Sequence, residues 1–197
     1  MKRILILKIF FTIFLTNFNI AHSIAPDVFI QSTVNRASKI LSEDISKNMK
    51  MNQLRDVAKE TVDIKGIGFY SLGSKRKSLN NLQIDSYLSL FEEYFLKSFS
   101  SRLAEYTNPE IEVKNKEILS KNYTIVKSIL VSTEDRPEIR IDWRVYTKDP
   151  NNPLIRDLII EGLSLARTQK EEFASILNSN DGDINVLLEA LKNFSSN

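Results

Sequence analysis

The stretch LIRDLIIEGLSLARTQKEEF, residues 154–173, decides the reading of this chain. Leu154, Ile155, Leu158, Ile159 and Ile160 form an apolar run short enough for a strand, with Asp157 inside it and Glu161 and Gly162 at its end. Ser164 then has the chemistry of a helix N-cap, since its hydroxyl can accept from a backbone N–H that lacks an intrahelical partner. A strand over Leu154–Glu161, a sharp reversal at Gly162 and a helix from Ser164 are therefore expected. In that arrangement Leu158 and Ile160 face a core, while Asp157, Ile159 and Glu161 face the other way. Glu161 is expected to favour the positive end of the helix that follows.

Upstream of this stretch the apolar period is two. EIEVKNKEIL, NYTIVKSILVST and EIRIDWRVYT read as three strands. In the last, Ile139, Ile141, Trp143 and Val145 share one face, and Arg140, Asp142, Arg144 and Tyr146 share the other. Short polar connections such as EDRP imply antiparallel hairpins. Helical spacing dominates before the strands. A first helix begins near Pro26 and Asp27 and carries Ile30, Val34, Ala37 and Leu41 inward. A second is expected from about Met51 to Val62, and the longest from about Gln83 to Tyr106, with a broad stripe that includes Tyr87, Phe91, Tyr94, Phe95 and Phe99. Between them DIKGIGFYSLGSKRKS holds three of the five glycines and reads as a short helix or compact turn. Phe173, Ile176 and Leu177 carry the helix after Ser164 inward, and Asp183 can cap a last one. The order helices, strand meander, helices predicts one α+β domain with helices on one face of a curved antiparallel sheet of about four strands.

The first residues, MKRILILKIFFTIFLTNFNIAHS, open with Lys2 and Arg3 and run apolar from Ile4 to Leu15, interrupted by Lys8. The run is shorter than the roughly 20 residues of a bilayer span, so it reads as an export signal, cut after Ser23, preceding a domain over residues 24–197. The whole chain has 27 basic and 25 acidic residues. Three of the basic ones, Lys2, Arg3 and Lys8, lie in the signal, which leaves the mature domain at a net charge of −1 and without the basic balance of a nucleic-acid partner. The one histidine, His22, is also in the signal, and cysteine is absent. A mature domain with neither residue excludes disulfides, histidine-based triads, cysteine nucleophiles and the common zinc sets.

Other motifs carry little. GIGFYSLGSK lacks the spacing of either phosphate-binding loop and reads as a turn with close backbone packing. NSNDGD would place Leu177 and Leu188 at calcium-ligating positions, which neither can fill. SKRKS, residues 74–78, reads as a solvated basic loop, with an anionic head group as the functional alternative. Asp142 is expected to pair with Arg140, Arg144 or an arginine of the next strand.

The stretch with which this reading began also resembles the signature of the MlaC, or toluene-tolerance, family of periplasmic phospholipid carriers. The matching residues are Asp157, Glu161, Gly162, Ser164, Lys170 and Phe173; the family more often has arginine where Lys170 stands, a change that removes bidentate hydrogen bonding there. The long aromatic helix ending in RLAEY, the strands YTIVKSILV and IDWRVY, and GDINVLLEALK follow in the family's order. The resemblance implies an NTF2-like roll with an elongated apolar pocket, no catalysis, phospholipid as cargo in place of a cofactor, and partners in an inner-membrane Mla ABC transporter complex and an outer-membrane Mla lipoprotein complex. For such a pocket the lining residues are expected to be Tyr70, Tyr87, Phe91, Phe95, Ile125, Ile129, Ile141, Trp143, Val145, Leu158 and Ile160. Two other classes remain open: an isomerase-type enzyme of the same roll that moves protons with Tyr and Asp, and an adaptor with a filled core.

Overall fold

The structure is a computed structural model that describes residues 23–196. The export signal expected over residues 1–23 lies, but for Ser23, outside the described residues. Six helices and five strands follow in the order α1 (Pro26–Ser42), α2 (Lys47–Thr61), α3 (Ile64–Leu72), a 3₁₀ turn (Gly73–Ser78), α4 (Asn81–Leu103), β1 (Ile111–Ser120), β2 (Tyr123–Leu130), β3 (Ile139–Tyr146), β4 (Leu154–Ile160), β5 (Leu163–Ser164), α5 (Leu165–Asn178) and α6 (Ile184–Ser196). The strands form one antiparallel meander, β1-β2-β3-β4-β5. This is the α+β architecture expected, with a fifth, two-residue strand added.

Local chemistry sets the element ends. Pro26 occupies the first turn of α1, and Asp27 there bonds Lys116 of β1 at 2.6 Å. That contact holds the Asp27 carboxyl below its usual range, the lysine hydrogen bond outweighing partial burial. α2 starts at Lys47, four residues before the expected Met51, because the Ser46 hydroxyl accepts from the Met49 N–H. α4 opens with a capping box between Asn80 and Gln83. It ends at Leu103, short of the expected Tyr106.

Strand faces follow from register, because residues directly opposite in an antiparallel pair share a face. In β3, Ile141, Trp143 and Val145 are buried, as their alternation requires. Opposite them in β2 stand Ser128, Val126 and Thr124, not Ile125 and Ile129. The last two lie opposite Arg144 and Arg140, on the other side of the sheet. In β4, Leu158 opposes Trp143 and Ile160 opposes Ile141, so both share the core face as expected. Ser128 explains how a polar residue sits on that face: its hydroxyl accepts from Trp143 Nε1 at 2.8 Å and donates to the Ile141 carbonyl at 2.9 Å. Both polar groups of the buried indole layer are thereby satisfied.

The helices close over this face. Tyr87, Phe91, Tyr94 and Phe173 form an aromatic layer with ring centroids 5.7 to 6.3 Å apart. One cluster of buried residues joins that layer to Val126, Trp143, Val145, Leu187 and Leu191. α3 passes so close to α4 that a Cβ at Gly68 would stand 2.9 Å from the Phe91 ring. The Tyr87 hydroxyl donates to the Gly68 carbonyl at 2.9 Å across the same contact. The glycine segment is thus a site of close backbone packing.

The β4–α5 junction is pinned by acids whose duties differ from expectation. Glu161 (φ 48°) and Gly162 (φ 85°) form the two-residue loop between Ile160 and Leu163, with the positive φ values a type I′ hairpin demands. Glu161 then pairs with Arg140 on the surface, Nη2 to Oε2 at 2.9 Å, instead of capping α5. The cap belongs to Asp157 and Ser164. The Asp157 carboxylate is buried; it accepts from the Ser164 hydroxyl at 2.7 Å and the Ala166 N–H at 3.0 Å, and Arg144 lies 3.5 Å away. Ser164 in turn accepts from the Arg167 N–H. The arginines expected to pair with Asp142 are committed elsewhere, Arg140 to Glu161, Arg144 to Asp157 and Arg156 of the next strand to Asp63, and Asp142 stands opposite Lys127.

Two stability predictions follow from these contacts. Asp157→Ala leaves the Ala166 N–H and Ser164 hydroxyl without their acceptor, and is expected to lower unfolding free energy in urea by about 3 kcal/mol. Tyr87→Phe removes one buried hydrogen bond, at about 1 kcal/mol. Burial raises the Tyr87 pKa, with a smaller contribution from Tyr94. A raised folded pKa means that the native state keeps its proton where the unfolded chain loses it, so this stability is complete below about pH 10 and declines as pH climbs above it. Thermal melts across that range should show a shallower alkaline decline in Tyr87→Phe than in the wild type.

Candidate functional site

The expected lining residues separate into three groups. Tyr87, Phe91, Ile141, Trp143 and Val145 are buried in the packed core, with Phe95 and Leu158 against it. Ile160 is half-buried on the same sheet face. Ile125 and Ile129 are on the opposite face, as described. Tyr70 stands apart from these: it is 43% exposed and borders open space.

That space is a cleft of about 460 Å³, within the range of small-molecule sites. Gly66, Ile67, Phe69 and Tyr70 of α3 form one wall, and Arg76 of the 3₁₀ turn extends it. Leu119, Ser120, Tyr123, Arg144 and Arg156, from the first four strands, form the other, and Ala166 closes the end. Tyr123 and Arg144 belong to the sheet face opposite Trp143. Ile67 both lines the cleft and belongs to the buried cluster, so the cleft abuts the core directly.

The wall made by α3 is fastened at its start. Asp63 is the N-cap, accepting from the Gly66 N–H at 2.8 Å. Its other oxygen accepts from Arg156 Nε at 2.6 Å. Arg156 also donates to the Tyr123 hydroxyl at 2.6 Å and lies 3.6 Å from the centre of the Tyr146 ring. Burial works against the Arg156 charge, but the hydrogen bonds to Tyr123 and Asp63 outweigh it and raise the pKa. A Cβ at position 66 would stand 2.3 Å from the Asp63 carboxylate, so any larger residue there would have to displace the capping side chain. The Asp63 N–H bonds the Ile155 carbonyl, joining the start of α3 to the edge of β4. At the far end of α3, Gly73 turns the chain with φ 59°, and Lys170 of α5 lies 5.1 Å from the Tyr70 ring centre. Lys170, the position where the family resemblance was weakest, thus packs at the edge of this wall.

The chemistry of the cleft is apolar and aromatic along α3 and Leu119, and cationic at Arg76, Arg144 and Arg156. No carboxylate is among its lining residues. Arg76 has no ion-pair partner among the described residues, and Arg144 is half-exposed beside Asp157. Arginine side chains in such positions suit a phosphate or another oxyanion. Sequence reasoning assigned only Tyr70 of these residues to a site. SKRKS had signalled Arg76, but no local pattern brings it opposite Arg144. Among the described residues no group of three His, Cys, Asp or Glu side chains could hold a metal ion, and no helix is long and apolar enough to cross a membrane.

Comparisons with known proteins give a family and a shared fold. No curated protein matches the chain. Among solved structures, a phospholipid-binding protein from Ralstonia solanacearum, determined in complex with a phospholipid, superimposes with a TM-score of 0.73 at 20% identity. The match covers 86% of this chain and 96% of that one, and at this identity it speaks for the fold. The family model described as MlaC protein matches residues 31–193, from α1 into α6, and on that extent the chain belongs to the MlaC family.

Proposed function

We propose that this protein is a periplasmic phospholipid carrier, which takes up acyl chains at the cleft between α3 and the sheet and moves lipid between the inner-membrane Mla ABC transporter complex and the outer-membrane Mla lipoprotein complex. The observation that carries the reading is the cleft itself: an apolar wall on α3 extended by Arg76, with Arg144 and Arg156 across from it and Ile67 shared between cleft and core. Membership of the MlaC family and the phospholipid held by the Ralstonia solanacearum structure support it.

The physical demand on such a carrier is plain. Each buried CH₂ is worth about 0.8 kcal/mol, so one long acyl chain left in water costs on the order of 10 kcal/mol. A cleft of about 460 Å³ gives the chains their entrance, and the aromatic layer beyond Ile67 gives them their destination. Tyr70 is proposed at the entrance. Tyr87, Phe91, Phe95, Ile141, Trp143, Val145, Leu158 and Ile160 are proposed as the apolar surface that chains reach past Ile67; Ile125 and Ile129 lie on the sheet face that carries Tyr123 and Arg144 of the cleft. Arg76 and Arg144 receive the phosphate while the rest of the head group stays in water. Burial in protein then roughly balances burial in a bilayer, so transfer is reversible and direction comes from the partner complexes. Exported by its signal, the domain works where cysteine and histidine are not needed.

The rival reading, proton transfer by Tyr and Asp, lacks a matching pair in the cleft. Asp157, the buried carboxylate, already serves Ser164, Ala166 and Arg144.

Native mass spectrometry of protein purified from the periplasm is expected to show the chain with phospholipid-sized mass increments. A chain that arrives empty under gentle ionisation overturns the carrier reading. Tyr70→Ala, at an exposed position, should retain several-fold less lipid in the same spectra while its thermal midpoint stays close to that of the wild type. Full lipid retention by that variant would remove Tyr70 from the entrance.

A further inference from the structure

The β1–β2 hairpin ends beside the cleft in a tip whose chemistry the carriage of a lipid within the protein does not use. Ile118 is 77% exposed and Leu119 is 49% exposed, next to the two-residue connection Lys121–Asn122. Leu119 is an extra residue on β1, set by a register shift between Ile118 and Ser120, and it also lines the cleft. Two more exposed aliphatics lie at this end of the molecule. Ile24 is held by its N–H to the Pro150 carbonyl, and Val28 follows Asp27, whose carboxylate bonds Lys116 of β1.

Charge around the tip leans positive. Asp27 is paired with Lys116, and Glu117 with Lys127 at 3.0 Å. Asp149 accepts from the Asn151 N–H and keeps its charge beside Lys148. Lys121 and Lys148 have no ion-pair partner among the described residues, and the Thr147 N–H to Asn122 carbonyl bond, 2.9 Å, brings the strand end that precedes Lys148 against the tip. Exposed aliphatics flanked by unpaired lysines are complementary to an anionic bilayer surface, where the aliphatics enter the head-group boundary and the lysines meet lipid phosphates.

We infer that this hairpin tip docks the protein directly on an anionic lipid bilayer, with Ile118 inserted and Lys121 and Lys148 at the head groups, so that the mouth of the cleft opens against the membrane. The inference rests on the carrier reading. It adds that cargo leaves and enters across a protein–bilayer contact: Leu119 belongs at once to the tip and to the cleft wall, so a chain sliding past it passes from protein to bilayer without crossing water.

Vesicle flotation of the full mature chain tests this, with vesicles of phosphatidylethanolamine and phosphatidylglycerol against vesicles of phosphatidylcholine alone. Wild-type protein should float with the anionic vesicles, and salt should weaken the association by screening the lysines. Ile118→Ser should reduce binding about tenfold, from the loss of an inserted aliphatic side chain. Lys121→Glu should reduce it at least about fivefold, from the loss of one cation and the gain of an anion at the surface. Neither residue lines the cleft, so bound lipid read by native mass spectrometry should be unchanged in both variants. Wild type that does not float, or variants that float equally well, overturn the docking inference and leave the carrier reading standing. Variants that lose lipid along with flotation also overturn it, since the tip would then be part of the cargo site. Capture of a membrane protein through Ile118 without vesicle binding assigns the tip to a protein partner and overturns it as well. Lipid-free wild type that still floats breaks the carrier reading while leaving the docking surface in place.

Discussion

A buried carboxylate holds the two halves of this fold together. Asp157 sits in the middle of β4, yet its oxygens serve the N-terminus of α5 through Ser164 and the Ala166 N–H, with Arg144 of β3 beside them. An ionised group inside a protein is tolerable only when donors surround it, and the unsatisfied N–H groups of a helix start provide them at the positive end of the helix dipole. The same contact fixes where α5 begins and therefore where Phe173, two turns on, meets Tyr87 and Phe91. Sheet, α5 and the aromatic layer of α4 are thus positioned from one point. The apolar stretch tolerates an acid at its centre because that acid faces a helix terminus, while Leu158 faces Trp143.

The wall of the candidate cleft is built on a different principle. α3 touches the core through Ile64, Ile67 and Leu72, but polar bonds at its start hold it to the sheet: Asp63 to Arg156 and Arg156 to Tyr123, with the guanidinium over the Tyr146 ring. Hydrogen bonds to water can replace such contacts one for one, whereas an exposed aromatic layer has no substitute for its lost contacts. An element tied by polar bonds on its outer side and resting on apolar residues on its inner side moves at least expense when something apolar fills the space it vacates. An acyl chain meets that description, and this links the closed aromatic centre to a carrier's task.

Much of this was legible in the sequence, and the parts that were not share a cause. β3 alternates cleanly between apolar and charged residues, so Ile141, Trp143 and Val145 could be placed inward from their spacing alone. β2 does not: Ile125 and Ile129 on one face compete with Val126 and Leu130 on the other, and only pairing with β3 decides between them. Ser128, the residue on the core face that looked most like a surface one, is there to satisfy an indole on the neighbouring strand. The Ser164 cap was readable because capping is local. Which acid supports it was not: Glu161 is nearer in sequence, but its left-handed backbone sends it to Arg140, and Asp157 reaches back across the hairpin. The cleft was the least readable feature, since α3, the 3₁₀ turn and four strands contribute to it and no window of sequence contains more than a fragment.

The single tryptophan has a practical consequence. Trp143 is buried beside Val126 and Leu158, donates to a hydroxyl, and is the only indole in the chain. Its fluorescence therefore comes from one known place, inside the packed core. On the carrier reading the molecule holds its own optical gauge: an acyl chain entering that interior would alter the emission of a lone native chromophore, and titration with lipid would be followed without any label.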